Sequence, residues 1–174
     1  MTTGAAPRPA AEEYDPYYAN YIARVPEGDL SAILERQLGD TLDLVRSIPE
    51  ERGGHRYAPG KWSIKEALGH VIDSERVFAY RVLRFARADP TPLPGYEQGD
   101  YVPAGRFDAR TLADLAEELA AVRRGTIHLL RHLDEAALSR RGNANGETIS
   151  VRALAYIIAG HERHHVEILR TRYL

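Results

Sequence analysis

The sequence predicts an all-α protein, a four-helix bundle with one long crossover loop. Three observations predict it. Four stretches of the 174-residue chain carry apolar residues at alternating steps of three and four, and each opens on a good capping residue. The segments between them are rich in glycine and proline, and no strand pattern of useful length stands out.

Residues 1–27 are expected to form an N-terminal tail and strap, and residues 28–174 a single bundle domain. Up to about residue 13 the chain is small and proline-containing, and it reads as disordered. The segment from Glu13 to Ile22 holds four of the ten tyrosines, Tyr14, Tyr17, Tyr18 and Tyr21. It is expected to lie as a strap on the bundle, either as surface packing or as a pocket wall. The first helix should run from Asp29, its cap, to Ile48, where Pro49 stops it, with Leu30, Leu34, Leu38, Thr41, Val45 and Ile48 on its seam. Glu50 to Lys61, with Gly53, Gly54, Pro59 and Gly60, is a loop.

The second helix opens at Ser63, because Ser63-Ile64-Lys65-Glu66 is a capping box, and it continues to about Arg87. Its apolar face is Ile64, Ala67, Val71, Phe78, Val82 and Phe85. From Asp89 to about Gly105, prolines 90, 92, 94 and 103 interleave with Tyr96 and Tyr101. A connection this long is expected to be an ordered crossover near the site. The third helix, about Asp108 to Leu133, shows Leu112, Leu115, Leu119, Val122, Thr126, Leu129 and Leu133 in unbroken alternation. A short turn, Asp134 to Leu138, and a loop around Gly142 to Gly146 lead to the fourth helix, which starts at its cap Ser150 and ends with the chain.

Composition narrows the function classes. With 44% hydrophobic and 28% charged residues the chain can build a sizeable core. A net charge of -2 gives no electrostatic case for nucleic acid or an anionic membrane. The absence of cysteine removes disulfides, thiolate metal ligands and a cysteine nucleophile together. The longest apolar run, Ala153 to Ala159, is far short of a membrane span, and Met1 to Pro9 lacks the apolar core of a signal peptide. These features point to the cytoplasm.

The chemistry concentrates on the last helix. Val151, Leu154, Ile158, His161, His165 and Ile168 form one heptad series in which only the histidines are not aliphatic. Two imidazoles therefore face the core about one turn, or roughly 6 Å, apart, a spacing at which both can grip one ion. Histidines bonded to each other or to water are the bland alternative, but two polar groups on a buried seam carry a cost that a metal removes. His164 lies about 100° from His165 and falls off the seam. His128 and His132 share the same i, i+4 spacing but lie off their own helix's seam, and His55 sits in a loop.

His161-Glu162-Arg163-His164-His165 also matches H-E-x-x-H, the zinc metalloprotease signature. The extended signature would require Gly at 168 and His at 171, where Ile168 and Thr171 stand, and the chain ends at Leu174. A third ligand must come from upstream. His70, at the edge of the second helix's apolar face, reads as boundary packing when taken alone and is a candidate because that third ligand is needed.

The pattern Trp62-Ser63-x-x-Glu66-x-x-x-His70 on one helix, followed by His161-x-x-x-His165 on the last, resembles the DinB-like superfamily of metal-binding four-helix bundles, which includes bacillithiol transferases. The resemblance covers about residues 28–174. It implies that His70, His161 and His165 bind one divalent metal, usually zinc or nickel, with an open coordination position. It also implies frequent homodimers. Such an ion can activate a bound thiol or a bound water. Three functions follow: a metal-dependent S-transferase using a low-molecular-weight thiol, a metal-dependent hydrolase of a small molecule in which Glu75, Asp73 or Glu162 could be the base, and a non-catalytic metal- or ligand-binding protein.

Overall fold

A computed structural model describes residues 7–174, so the expected disorder of residues 1–6 lies outside the described residues. Seven helices and one hairpin follow in order: α1 Ala19–Ile22, α2 Leu30–Ser47, α3 Ile64–Ala86, α4 Gln98–Gly105, α5 Leu112–Arg131, α6 Glu135–Leu138, β1 Arg141–Ala144, β2 Glu147–Ser150 and α7 Val151–Ile168. A π-helical turn, Leu169–Tyr173, closes the chain. The bundle is α2, α3, α5 and α7. In it α3 packs on α5 and α7, and α2 packs on the same two helices, so α2 and α3 stand at opposite corners. The fold class read from the sequence is the one observed.

The caps are where the sequence places them. Asp29 accepts from the Ala32 N–H, Ser63 and Glu66 close their reciprocal box, and Ser150 accepts from the Ala153 N–H. Helix α5 starts later than expected. Phe107–Ala109 is a separate 3₁₀ turn, and Thr111, not Asp108, caps the helix. Asp108 is engaged elsewhere, by Ser63 and Arg56.

Three further segments correct the sequence reading. The crossover contains a helix, α4, with Pro103 inside it, and its chain turns at Arg106 with φ +50°. The stretch from Arg141 to Ser150 is an antiparallel hairpin rather than a loop, with Ala144 opposite Glu147. Its two-residue connection, Asn145-Gly146, has φ +57° and +86°, the doubly positive geometry of a type I′ turn that Asn-Gly favours. The Leu93 N–H donates to the Asn143 carbonyl and the Asn145 N–H to the Leu93 carbonyl, each at 2.9 Å, so the crossover is stitched to the hairpin just before Tyr96. Residues 7–13 are ordered against the bundle. Arg8 donates to the Ile22 and Val25 carbonyls at 2.7 and 2.6 Å, and buried Glu13 pairs with Arg152 at 3.2 Å.

The strap is held tightly. Ile22 and Val25 belong to the main core cluster, and the Tyr21 backbone crosses α7 at Gly160. A β-carbon at 160 would sit 2.0 Å from the Tyr21 carbonyl oxygen, and backbone cannot yield as a flexible side chain does. Gly160→Ala should therefore destabilise the protein by roughly 1–3 kcal/mol in urea unfolding, despite alanine's better helix propensity. A stabilised variant would show that the strap is not packed there.

Candidate metal centre

Helix α3 delivers His70 and helix α7 delivers His161 and His165 to one point. The ligand atoms of the three lie within 4.8 Å of one another, and Nε2 of His70 is 3.1 Å from Nε2 of His161. His70 and His161 are 2% and 7% exposed, and His165 is half-buried. The remaining histidines stand apart. His164 turns its ring to Tyr21 at 5.4 Å, His128 and His132 are exposed on or just beyond α5, and His55 lies in a loop against Tyr173.

This set suits a divalent ion. Burial, with the neighbouring imidazoles adding to it, holds His165 down to about 3 and His161 well below the ordinary histidine value, and burial alone holds His70 at about 4. All three are thus neutral and can offer a lone pair at physiological pH. Two nitrogens sharing one tetrahedral ion lie about 3.4 Å apart, close to the His70–His161 separation. Behind His70, Nδ1 approaches the Ser74 hydroxyl at 3.4 Å, and that hydroxyl bonds Tyr96 OH at 2.7 Å. Such a chain orients a ligating ring. Ser74 lies one turn after His70 on the same face of α3, the spacing at which two helical side chains meet.

The depressed values carry a sign that can be measured on metal-free protein. Below about pH 6.5 the unfolded chain takes up protons on these histidines while the folded chain does not, until pH approaches 4 to 3. The chelated protein should therefore lose thermal stability steadily as pH falls from 6.5 to 4. Stability that rose over that interval would contradict the burial of three neutral imidazoles.

Two cavities end on the cluster. His161 forms part of the floor of one, about 480 Å³, walled by Tyr17, Tyr18 and Tyr21 of the strap, Phe78 and Arg81 of α3, and Tyr96 of the crossover. Strap and crossover are both pocket walls. Acidic residues Asp15, Glu97 and Glu147 line it too, the last two exposed. The second cavity, about 290 Å³, opens on His165 beside Tyr57, Lys61 and Trp62. The Trp62 ring stands 4.7 Å from that of His70 and 6.4 Å from that of His165.

The carboxylates considered as bases are elsewhere. Glu75 and Glu162, 3% and 1% exposed, both bind the fully buried Arg123, at 2.8 and 2.6 Å. Glu162 also accepts from Gln37, so each bundle helix contributes one residue to this network. Asp73 lies near Arg76, at 3.7 Å. None of the three lines either cavity beside the histidines.

The family model of the DinB superfamily matches residues 33–169. The chain belongs to the DinB superfamily. A protein of Oceanobacillus iheyensis, OB0413, provisionally named a metal-dependent hydrolase, is 28% identical over 135 residues, covering 75% of this chain and 73% of its own. YfiT from Bacillus subtilis, described as a probable metal-dependent hydrolase with an unusual four-helix bundle topology, superposes with a TM-score of 0.73 at 18% identity, over 91% of this chain and 93% of its own. A mycothiol-dependent maleylpyruvate isomerase superposes at 0.65 with 13% identity, over 83% of this chain and 61% of its own. These superpositions show that the fold is shared. Among the described residues no helix is long and apolar enough to cross a membrane.

Proposed function

We propose that His70, His161 and His165 hold one divalent ion, zinc or nickel, and that this DinB protein is a metal-dependent enzyme transferring a low-molecular-weight thiol to a small molecule. The observation that carries it is the convergence of three neutral, largely buried imidazoles at the foot of a cavity large enough for a small substrate. Held by neutral ligands, such an ion keeps its double positive charge and draws the pKa of a bound thiol or water towards neutrality. The protein's own share is placement. Ser74 and Tyr96 orient His70, Trp62 flanks His70 and His165, and the strap tyrosines wall off the cavity on the His161 side.

Thiol transfer is favoured over hydrolysis because, among the described residues, no carboxylate joins the three histidines in their cluster to serve as a base. Glu75 and Glu162 are committed to Arg123, and Glu97 and Glu147 are exposed. A thiol ionises readily without such help, whereas attack by water commonly gains from it. Small-molecule hydrolysis remains the second reading, supported by the names of OB0413 and YfiT. A homodimer, which the family resemblance implies, belongs to the same proposal.

Cobalt-substituted protein should develop a sulfur-to-cobalt charge-transfer band on addition of a small thiol. Conjugation to a haloaromatic, in which the C–S bond forms as the C–halogen bond breaks and the thiol proton leaves to buffer, should then require both metal and thiol. Metal-dependent turnover of esters or amides that thiols only slow would instead establish the hydrolase. Metal binding with neither reaction, across a broad substrate panel, would point to a non-catalytic binding protein.

A further inference from the structure

Two arginines are buried in this bundle, and their surroundings differ in kind. Arg123, fully buried, has two carboxylates, Glu75 and Glu162. Arg81, 4% exposed, has none within ion-pair distance among the described residues. One of its terminal nitrogens donates to the Pro94 carbonyl at 2.9 Å, its guanidinium stands 5.9 Å from the Phe78 ring centre, and the Tyr18 hydroxyl bonds it as well. A buried cation satisfied only by a carbonyl, a phenol and a ring face lacks the charge partner that normally offsets its desolvation.

What Arg81 does face is the 480 Å³ cavity, together with His161, Phe78 and Tyr96. A guanidinium presents a planar fork of donors that matches a carboxylate, and with one donor taken by Pro94 and one by the Tyr18 hydroxyl others remain. The same cavity is lined by Asp15, half-buried and accepting from the Tyr17 N–H, and by the exposed Glu97 and Glu147. That acidic lining disfavours a molecule with several negative charges. It leaves room for one anionic group on Arg81 and an uncharged or cationic remainder against the tyrosines and Phe78.

We propose that Arg81 is the anchor of a carboxylate-binding subsite, and that the small molecule admitted on the His161 side of the metal centre carries a carboxylate. This rests on the cavity being the substrate pocket but not on which nucleophile the centre activates. It is therefore read by binding, without turnover. The remaining N–H groups of Arg81 hold the carboxylate, and the aromatic walls hold the body of the ligand.

Calorimetric titration of metal-loaded protein with benzoate and with its uncharged isostere benzamide tests it. Benzoate should bind at least about tenfold more tightly than benzamide. Arg81→Gln, with its metal content unchanged, should lose about that factor for benzoate and none for benzamide. Arg81→Lys should keep part of it, and decides the matter if the glutamine variant does not fold. His165→Ala, expected to lack the ion, should still prefer benzoate if Arg81 is the anchor and lose the preference if the carboxylate sits on the metal instead. Equal binding of benzoate and benzamide, absence of benzoate binding, or a preference untouched by substitution of Arg81 would overturn the assignment. None of those results depends on whether a thiol or water reacts.

Discussion

His70→Ala, His161→Ala and His165→Ala are each expected to purify nearly free of metal, where the wild-type protein, prepared without chelator or a histidine tag, holds about one ion per chain. The expectation follows from convergence: the three ligand atoms lie within 4.8 Å of one another, so each removal leaves only two imidazoles on the ion. Loss of an outer-sphere partner alone commonly lowers affinity by 10–100-fold, so loss of a direct ligand should exceed about 100-fold. Two controls make the result specific. His164→Ala, whose ring faces Tyr21, should retain metal with at most a modest loss of affinity, and the double variant His128→Ala with His132→Ala, on an exposed face, should be indistinguishable from wild type. Elemental analysis reads all of these. Metal kept by His70→Ala and lost from the double variant would move the site to α5.

The largest effect on stability should come from Arg123→Met. The substitution preserves much of the side-chain volume but strands Glu75 and Glu162, 3% and 1% exposed, in the middle of the bundle. Breaking a buried ion pair from one side costs about 3–5 kcal/mol, most of it from the charges left behind. Adding Glu75→Met and Glu162→Met to the same chain should recover most of that loss, because no charge is then left unpaired and Gln37, which loses Glu162, keeps its bond to the Ala159 carbonyl. Urea unfolding measures both. A loss under about 1 kcal/mol for Arg123→Met would mean that the carboxylates take up protons or water at little cost.

The capped starts of α2, α3 and α7 were legible because Asp29, Ser63 and Ser150 signal locally, through side chains that bond backbone a few residues away. The histidine pair on α7 was legible for the same reason, being two residues of one helix face. His70 was not determined by its own surroundings and entered as a candidate through the need for a third ligand and the family resemblance. Register in α5 held through Leu112, Leu115 and Leu119 and then drifted. Beyond Leu119 the buried positions are Ala120, Arg123, Thr126, Ile127 and Leu130, while Val122, Leu129 and Leu133 are only partly buried. A hydrophobic pattern cannot place a buried arginine, since what satisfies Arg123 comes from α3 and α7, 48 and 39 residues distant. Arg81 was invisible for a like reason. The hairpin was a different kind of miss, because Asn145-Gly146 is a strong local turn signal, but Arg141–Ala144 and Glu147–Ser150 are short and lack the β-branched alternation that marks a strand. Helix α4 was obscured by Pro103 and by two glycines, Gly99 and Gly105, which argue for loop while the packing of Val102 and the Phe107 turn argues for helix.

X-ray absorption at the metal edge, on wild-type protein loaded with one equivalent of zinc or nickel, addresses the central claim most directly. The account predicts three imidazole nitrogens at about 2.0–2.1 Å with at least one further light-atom ligand, and, after addition of a small thiol, replacement of a light atom by sulfur at about 2.3 Å while all three imidazoles remain. Fewer than three imidazoles, or a first sphere that is complete and unmoved by thiol, would contradict it.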